Sequence, residues 1–284
     1  MQIPPSEVVS DGARRAPCAA LRPFVRPYEG YRTRGLAPAE HVGMPGPYLT
    51  VIVAMEPSLE IARAPRQGAG VFETLASGIT TSPVTIVHNG NQSGIQLSLT
   101  PLGSRALLGV PAAELGEWLV DLDEVLGADA VELRARVCAA PEWAARFDVV
   151  DEILLRRLRE CEVDSRLIGA WHALTSGSVP KVADVALDIG WSRRHLVSKF
   201  SSEFGVGPKE AVRIARFYRS HRRLRDPACS DLAAVASECG FYDQPHMNRE
   251  WRVMAGMSPT TWREREMFSF FQDSAAGDEE GIGS

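Results

Sequence analysis

Lysine is nearly absent from this 284-residue chain, which holds 3 lysines against 28 arginines, a skew that reflects codon usage as much as chemistry. Cysteine is sparse and scattered. Cys18, Cys138, Cys161, Cys229 and Cys239 are odd in number and form no C-x-x-C pair, so neither a zinc site nor a disulfide framework is indicated. Nowhere do the roughly 18–20 uncharged apolar residues of a membrane span occur in a row. The opening MQIPPSEVVSDGARRAP lacks the apolar core of a secretion signal. A cytoplasmic protein with no membrane partner is therefore expected.

What is present is ordinary in sum and uneven in distribution. An apolar fraction of 45% with 24% charged residues is that of a soluble globular protein, and the length allows two domains. The net charge of −5 divides sharply along the chain. Residues 165–268 hold 16 basic and 11 acidic side chains, whereas residues 1–164 and 269–284 are both net acidic. A basic block between acidic ones points to a polyanionic partner for that block.

Residues 1–45, rich in Pro, Gly and Arg, are expected to pack irregularly at the edge of a first domain. From 48 to 101 the runs YLTVIVAM, LEIAR, GVFETLAS, PVTIVHNG and GIQLSLTP are short, β-branched and broken by Pro, Gly and Asn. They predict strands of an antiparallel sandwich or barrel. After Pro101 apolar residues recur at three- and four-residue spacing, which predicts helices over SRALLGV, AAELGEWLVDLDEVLG and the stretch from 131 to 161. Phe147, Val150, Ile153, Leu154 and Leu158 form a stripe suited to a core or to a partner helix. From about 164 the chain reads as helical, and the acidic ending over 269–284 reads as a disordered tail.

Within the basic block one device occurs twice. KVADVALDIG and SDLAAVASECG each place an alanine, Ala186 or Ala236, four residues before a glycine, Gly190 or Gly240. The small side chain admits a second helix, and the glycine accepts the positive φ of a tight turn. An aromatic follows directly, Trp191 or Phe241, and then a cap, Ser192 or Asp243. From the caps onward the copies hold register at a spacing of 51, as in Leu196 with Met247 and Phe200 with Trp251. Between the glycines the spacing is 50, so the second copy has one additional residue in its turn. On the helical wheel Leu196, Phe200 and Phe204, and likewise Met247, Trp251 and Met254, face a core. The opposite faces present Arg194, Ser198 and Ser201 in one copy, and Pro245, Arg249 and Arg252 in the other. Gln244 and Asn248 lie on the flank of the second. Arginine pairs bidentately with guanine, and Asn or Gln with adenine. Any amphipathic helix has a polar outside, but two helix–tight turn–helix units joined by KEAVRIARFYRSHRRLRD form a geometry suited to successive major-groove segments.

These residues resemble the DNA-binding domain of AraC/XylS-type bacterial transcription regulators. The resemblance covers residues 164–266 and rests on ALDIGWSRRHLVSKFSSEFGVGP, RIARFYRSHRRL and ASECGFYDQPHMNREWRVMAGMSPTTWRE. It implies an α+β protein: a β-rich, cupin-like barrel or sandwich followed by helices over 1–160, which senses a signal or dimerises, then an all-α domain with two helix-turn-helix units. It implies sequence-specific binding of double-stranded DNA, activation more often than repression, and RNA polymerase, a small-molecule effector and a second copy of the chain as further partners. Base-contacting positions carried over are Arg194, Val197, Ser198, Gln244, Asn248 and Arg249. Val197 departs from the polar residue usual there and offers an apolar contact such as to a thymine methyl. Lys181, Ser192, Lys199 and Arg219 are the candidate phosphate contacts. Cupin enzymes hold metal through closely spaced histidines, whereas His41 and His88 stand apart, so no metal or cofactor is expected. His88 and Asn89 suit a turn better than a pocket. Two other classes compete. A DNA-modifying or repair enzyme with a DNA-binding appendage would need a reactive cysteine, and none of the five lies in a nucleophile motif. A protein-interaction module would leave the arginine excess without a use.

Overall fold

The computed structural model describes residues 9–177, 181–226, 228–229 and 231–266. The expected tail at 269–284 lies outside them. Among the described residues ten strands form two antiparallel sheets: β1 (Val9–Arg15), β2 (Tyr28–Arg34), β3 (Ala39–Gly43), β4 (Leu49–Ala54), β5 (Leu59–Arg63), β6 (Gly70–Phe72), β7 (Thr74–Ser77), β8 (Val84–His88), β9 (Gln92–Leu99) and β10 (Leu119–Asp121). One sheet runs β1-β2-β9-β4-β7-β10 and the other β3-β8-β5-β6. The five strand-like runs are strands, with GVFETLAS split into β6 and β7. The first 45 residues differ from expectation, because β1, β2 and β3 are drawn from them. Prolines and glycines there punctuate strands rather than prevent them, and Tyr28 and Tyr31 on β2 are buried. The turn reading of 88–91 matches the geometry: Gly90 N–H donates to His88 Nδ1 at 3.1 Å and Asn91 N–H to Asn89 Oδ1 at 3.1 Å.

Helices follow: α1 (Pro101–Gly103), which runs into a π-helical turn at Ser104–Leu108, then α2 (Ala112–Leu115), α3 (Leu122–Leu126), α4 (Ala128–Ala139) and α5 (Trp143–Arg157). The stretch expected to be helical at 112–127 is interrupted by β10, which pairs with β7 and extends the larger sheet. One face of that sheet packs on helices. Val51, Val53, Ile95, Leu97 and Leu99 meet Phe147, Val150, Ile153 and Leu154 in one core. The 147–158 stripe is thus core rather than a surface for another helix. At about 1.5–3 kcal/mol for each fully buried large apolar side chain, these four residues of α5 hold the helix to the sheet. Asp151 fixes the register of that contact, accepting from Tyr28 Oη at 2.7 Å and from Arg15 Nη2 at 2.9 Å.

The remaining helices are α6 (Ser165–Thr175), α7 (Val182–Asp188), α8 (Arg193–Phe204), α9 (Pro208–Leu224), α10 (Leu232–Glu238), α11 (Gln244–Ala255) and α12 (Pro259–Glu266). They include the two duplicated units, α7–α8 and α10–α11, with α9 between them, α6 before the first and α12 after the second. No helix among the described residues is long and apolar enough to cross a membrane.

Candidate nucleic-acid interface

Each unit is built as its sequence dictates. Gly190 and Gly240 adopt φ of +71° and +82°, turning the chain where a side chain would be strained. Ser192 then caps α8, its side chain accepting from His195 N–H at 3.2 Å. Asp243 caps α11 in the same way, accepting from His246 N–H at 2.6 Å. His246 answers through Nδ1, which accepts from Tyr242 N–H at 3.2 Å. One orphan donor of the helix start and the N–H of the residue before the cap are thus both satisfied. Pro245 occupies the second helical position, where no intrahelical N–H is lost. The inward residues are buried throughout: Leu196, Phe200 and Phe204 in α8, and Met247, Trp251 and Met254 in α11. Trp171 of α6 packs on Phe200 and Phe204 at ring-centroid distances of 5.6 and 4.6 Å.

The outward faces fall where the wheel put them. Arg194, Val197, Ser198 and Lys199 on α8, Ser192 at its cap, Arg249 and Arg252 on α11, and Lys181 before α7 are all exposed. Gln244 and Asn248 are half-buried on the flank of α11. Arg219 is the least open of the phosphate candidates. Its Nη1 donates to the carbonyls of Thr175 and Ser176 at 3.1 and 3.2 Å, and its Nη2 donates to that of Cys239 at 3.4 Å. Its neighbours on α9 are engaged likewise: Arg216 Nη1 donates to Gly240 O at 3.2 Å, and Arg213 Nε to Glu250 at 2.8 Å. Arginines of the linking helix thus take carbonyls at the ends of α6 and α10 and fasten α9 to α6 and to the second unit. Much of the arginine excess counted in the sequence is structural, and sequence alone gave no sign of which guanidinia turn inward.

The first unit is also fastened to the β-rich part. Arg105 in the π-helical turn grips Glu203 on the last turn of α8 with both carboxylate oxygens, at 2.6 and 2.7 Å. Beside it Gly205, at φ +78°, passes so close to Ala113 that an added Cβ would lie 3.0 Å from its Cα.

Between the two sheets, and closed on one side by α9, lies a cavity of about 130 Å³. Sequence reasoning missed it. Its floor includes a row of hydroxyls set side by side by strand register, Ser98 opposite Thr50 and Thr50 opposite Ser77. Gln96 adds an amide, Tyr218 and His221 face it from α9, and Arg225 faces it from just past the end of that helix. Ile52, Ile61 and Ile86 supply apolar wall. A polar row on the inner face of a sandwich was the available signal, since that face ordinarily carries apolar residues. Burial, with a lesser push from Arg225, holds the His221 imidazole well below its ordinary pKa, so the ring is neutral at physiological pH. Cys229 and Cys239 are buried, and burial pushes the Cys239 thiol up to about 11, away from the thiolate.

A family model described as a helix-turn-helix domain matches residues 185–265. Among solved structures the chain is similar to ToxT from Vibrio cholerae, with a TM-score of 0.51 at 9% identity over 90% of this chain and 98% of that one. It is also similar to an AraC-type DNA-binding domain-containing transcriptional regulator from Chromobacterium violaceum, at 24% identity and TM-score 0.34 over 37% of this chain and 94% of that one. The DNA-binding domain of AdpA in complex with a target DNA is similar at 23% identity and TM-score 0.33, over 38% and 96% of the two chains. No curated protein matches. Residues 185–265 match a helix-turn-helix domain, and they follow an N-terminal β-rich part in a chain with the overall fold of ToxT.

Proposed function

We propose that the chain is a sequence-specific transcription regulator that lays α8 and α11 into successive major-groove segments of double-stranded DNA. The observation that carries this reading is the duplicated, capped and fully packed unit whose outer faces keep Arg194, Ser198, Arg249 and Arg252 exposed while the linking arginines are used internally. Arg194 and Arg249 reach base edges; Val197, 40% exposed, meets a thymine methyl. Gln244 and Asn248 read beside Arg249, and Lys181, Ser192 and Lys199 contact phosphates. The regulator acts as an activator, contacting RNA polymerase from beside its site.

The test selects duplexes from a random library with the full chain and compares wild type with Arg249→Ala. The variant loses about 1–3 kcal/mol on the selected duplex and relaxes preference at one base position. Equal loss on selected and random duplexes removes Arg249 from base reading, and failure of the wild type to enrich any sequence removes the whole reading. Placed upstream of a reporter promoter, the selected site raises transcription when the chain is present; a fall identifies a repressor.

The cavity between the sheets supports an effector site for a small amphipathic molecule. Its polar part meets the hydroxyl row and Arg225, and its apolar part meets Ile52, Ile61 and Ile86.

A further inference from the structure

The duplication supplies an internal control for the one residue in which the two turns differ. In the first unit Trp191 N–H closes the turn on Ala186 O at 2.8 Å, and in the second Phe241 N–H closes it on Ala236 O, also at 2.8 Å. Both rings are then used alike. Trp191 lies edge-on to His195 at 4.7 Å with the guanidinium of Arg166 over it at 4.9 Å. Phe241 lies edge-on to His246 at 5.6 Å with Arg216 over it at 5.6 Å. After Trp191 the cap follows at once, at Ser192. After Phe241 the chain spends one more residue, Tyr242, before the cap at Asp243. Every packing role of Trp191 is filled by Phe241, so the unit folds without a side chain at position 242.

The inserted side chain has no use within the described fold. Tyr242 is 92% exposed, the most open of the large hydrophobic residues, and its ring and hydroxyl enter no ring contact or hydrogen bond among the described residues. Only its backbone N–H is used, toward His246. Its place is specific. In a helix-turn-helix the first helix crosses the nucleic-acid backbone and the second lies in the groove, so the turn between them passes over the phosphate wall. Tyrosine hydroxyls donate to phosphate oxygens, and an aromatic face covers sugar carbons.

Resting on the DNA-binding reading above, we propose that Tyr242 is a backbone-contacting residue of the second unit, its ring against a deoxyribose and its hydroxyl donating to a phosphate at the mouth of the groove entered by α11. The contact adds grip without reading sequence. It also makes the two units unequal, since the first has no residue at this place.

The experiment measures binding of the full chain, as wild type, Tyr242→Phe and Tyr242→Ala, to a duplex selected by the wild type and to a random duplex of equal length, across a salt series. Tyr242→Ala weakens binding about three- to tenfold on both duplexes, with Tyr242→Phe between it and wild type. The slope of log affinity against log salt stays unchanged, because a neutral hydroxyl releases no counterion. Thermal unfolding of the variants matches wild type, since the ring is in water. Unaltered affinity of Tyr242→Ala overturns the proposal. So does loss confined to the selected duplex, which would make Tyr242 a base reader. If the wild type binds no duplex, the underlying reading fails as well; if it binds and Tyr242→Ala binds equally, the reading stands and this inference alone falls.

Discussion

Removing Arg105 and removing Glu203 break the same ion pair, yet the two substitutions are expected to differ in cost. The pair is bidentate, at 2.6 and 2.7 Å, and joins the β-rich domain to the last turn of α8. Its side chains are unequally open: Arg105 is 34% exposed and Glu203 11%. In Glu203→Ala the guanidinium, already a third in water, swings outward, and the loss is that of a partly screened pair, about 1–2 kcal/mol. In Arg105→Ala a carboxylate is left enclosed beside the close contact of Gly205 with Ala113, and the loss approaches the roughly 3 kcal/mol of an unpaired buried charge. The double variant removes the stranded group too, so its cost falls short of the sum, with a coupling on the order of 2 kcal/mol. Urea midpoints followed by tryptophan fluorescence at neutral pH measure all four corners of the cycle. Equal single costs that add without coupling would refute the reasoning, because they would mean that neither charge depends on the other.

Two further outcomes concern the seam between the domains. Burial pushes the Glu29 carboxyl up to about 7 from 4.5, against the opposing pull of Arg14, Arg225, Arg222 and Arg26. The folded chain therefore holds this proton more tightly than the unfolded chain, so the contribution is full below about 4.5 and is lost as pH rises through about 7. Glu29→Gln flattens that loss, leaving the variant more stable than wild type near pH 8, by on the order of 3 kcal/mol at most; identical pH profiles for the two would contradict it. Gln96→Trp fills the cavity between the sheets. Wild type is expected to take up about one equivalent of anilinonaphthalene sulfonate there, and the variant to bind it at least about tenfold more weakly, the loss of a pocket contact set. Equal uptake by both in a fluorescence titration would place the dye, and the effector reading, elsewhere.

The helix-turn-helix pair was almost fully legible in the sequence because its determinants are local. A glycine that must take positive φ, a cap with its acceptor, and apolar residues on one wheel face act within one or two turns of chain, and Gly190, Ser192 and Phe200 each do what their spacing implies. The β-rich domain was legible where strands alternate and are continuous, as in β4 and β9. It was not legible in the first 45 residues, where β2 is held by pairing with β9, far along the chain. β10 shows the same limit: three residues within an apparently helical run become a strand because β7 offers them an edge. The arginines of α9 show a different one. Composition counts a guanidinium as a free positive charge, whereas Arg216 and Arg219 are occupied by carbonyls whose positions depend on how α6 and α10 pack.

Where two copies of a device share one chain, their differences locate what each one touches. At the spacing of 51, Glu203 in the first copy corresponds to Met254 in the second, and Gly205 to Gly256. Met254 is buried among apolar neighbours and an added Cβ at Gly256 would meet nothing within 4 Å, so the second copy satisfies these positions by itself. A nearly buried carboxylate at 203 would be costly in the isolated first unit; it is tolerable because Arg105 of the other domain comes to meet it. The exception at 203 thus records a neighbour that is present in the same chain. Tyr242 is the mirror case, an addition to the second copy whose side chain is 92% exposed and enters no ring contact or hydrogen bond among the described residues. The same logic that leads from Glu203 to Arg105 leads from Tyr242 outward, to the nucleic-acid backbone contact proposed for it above.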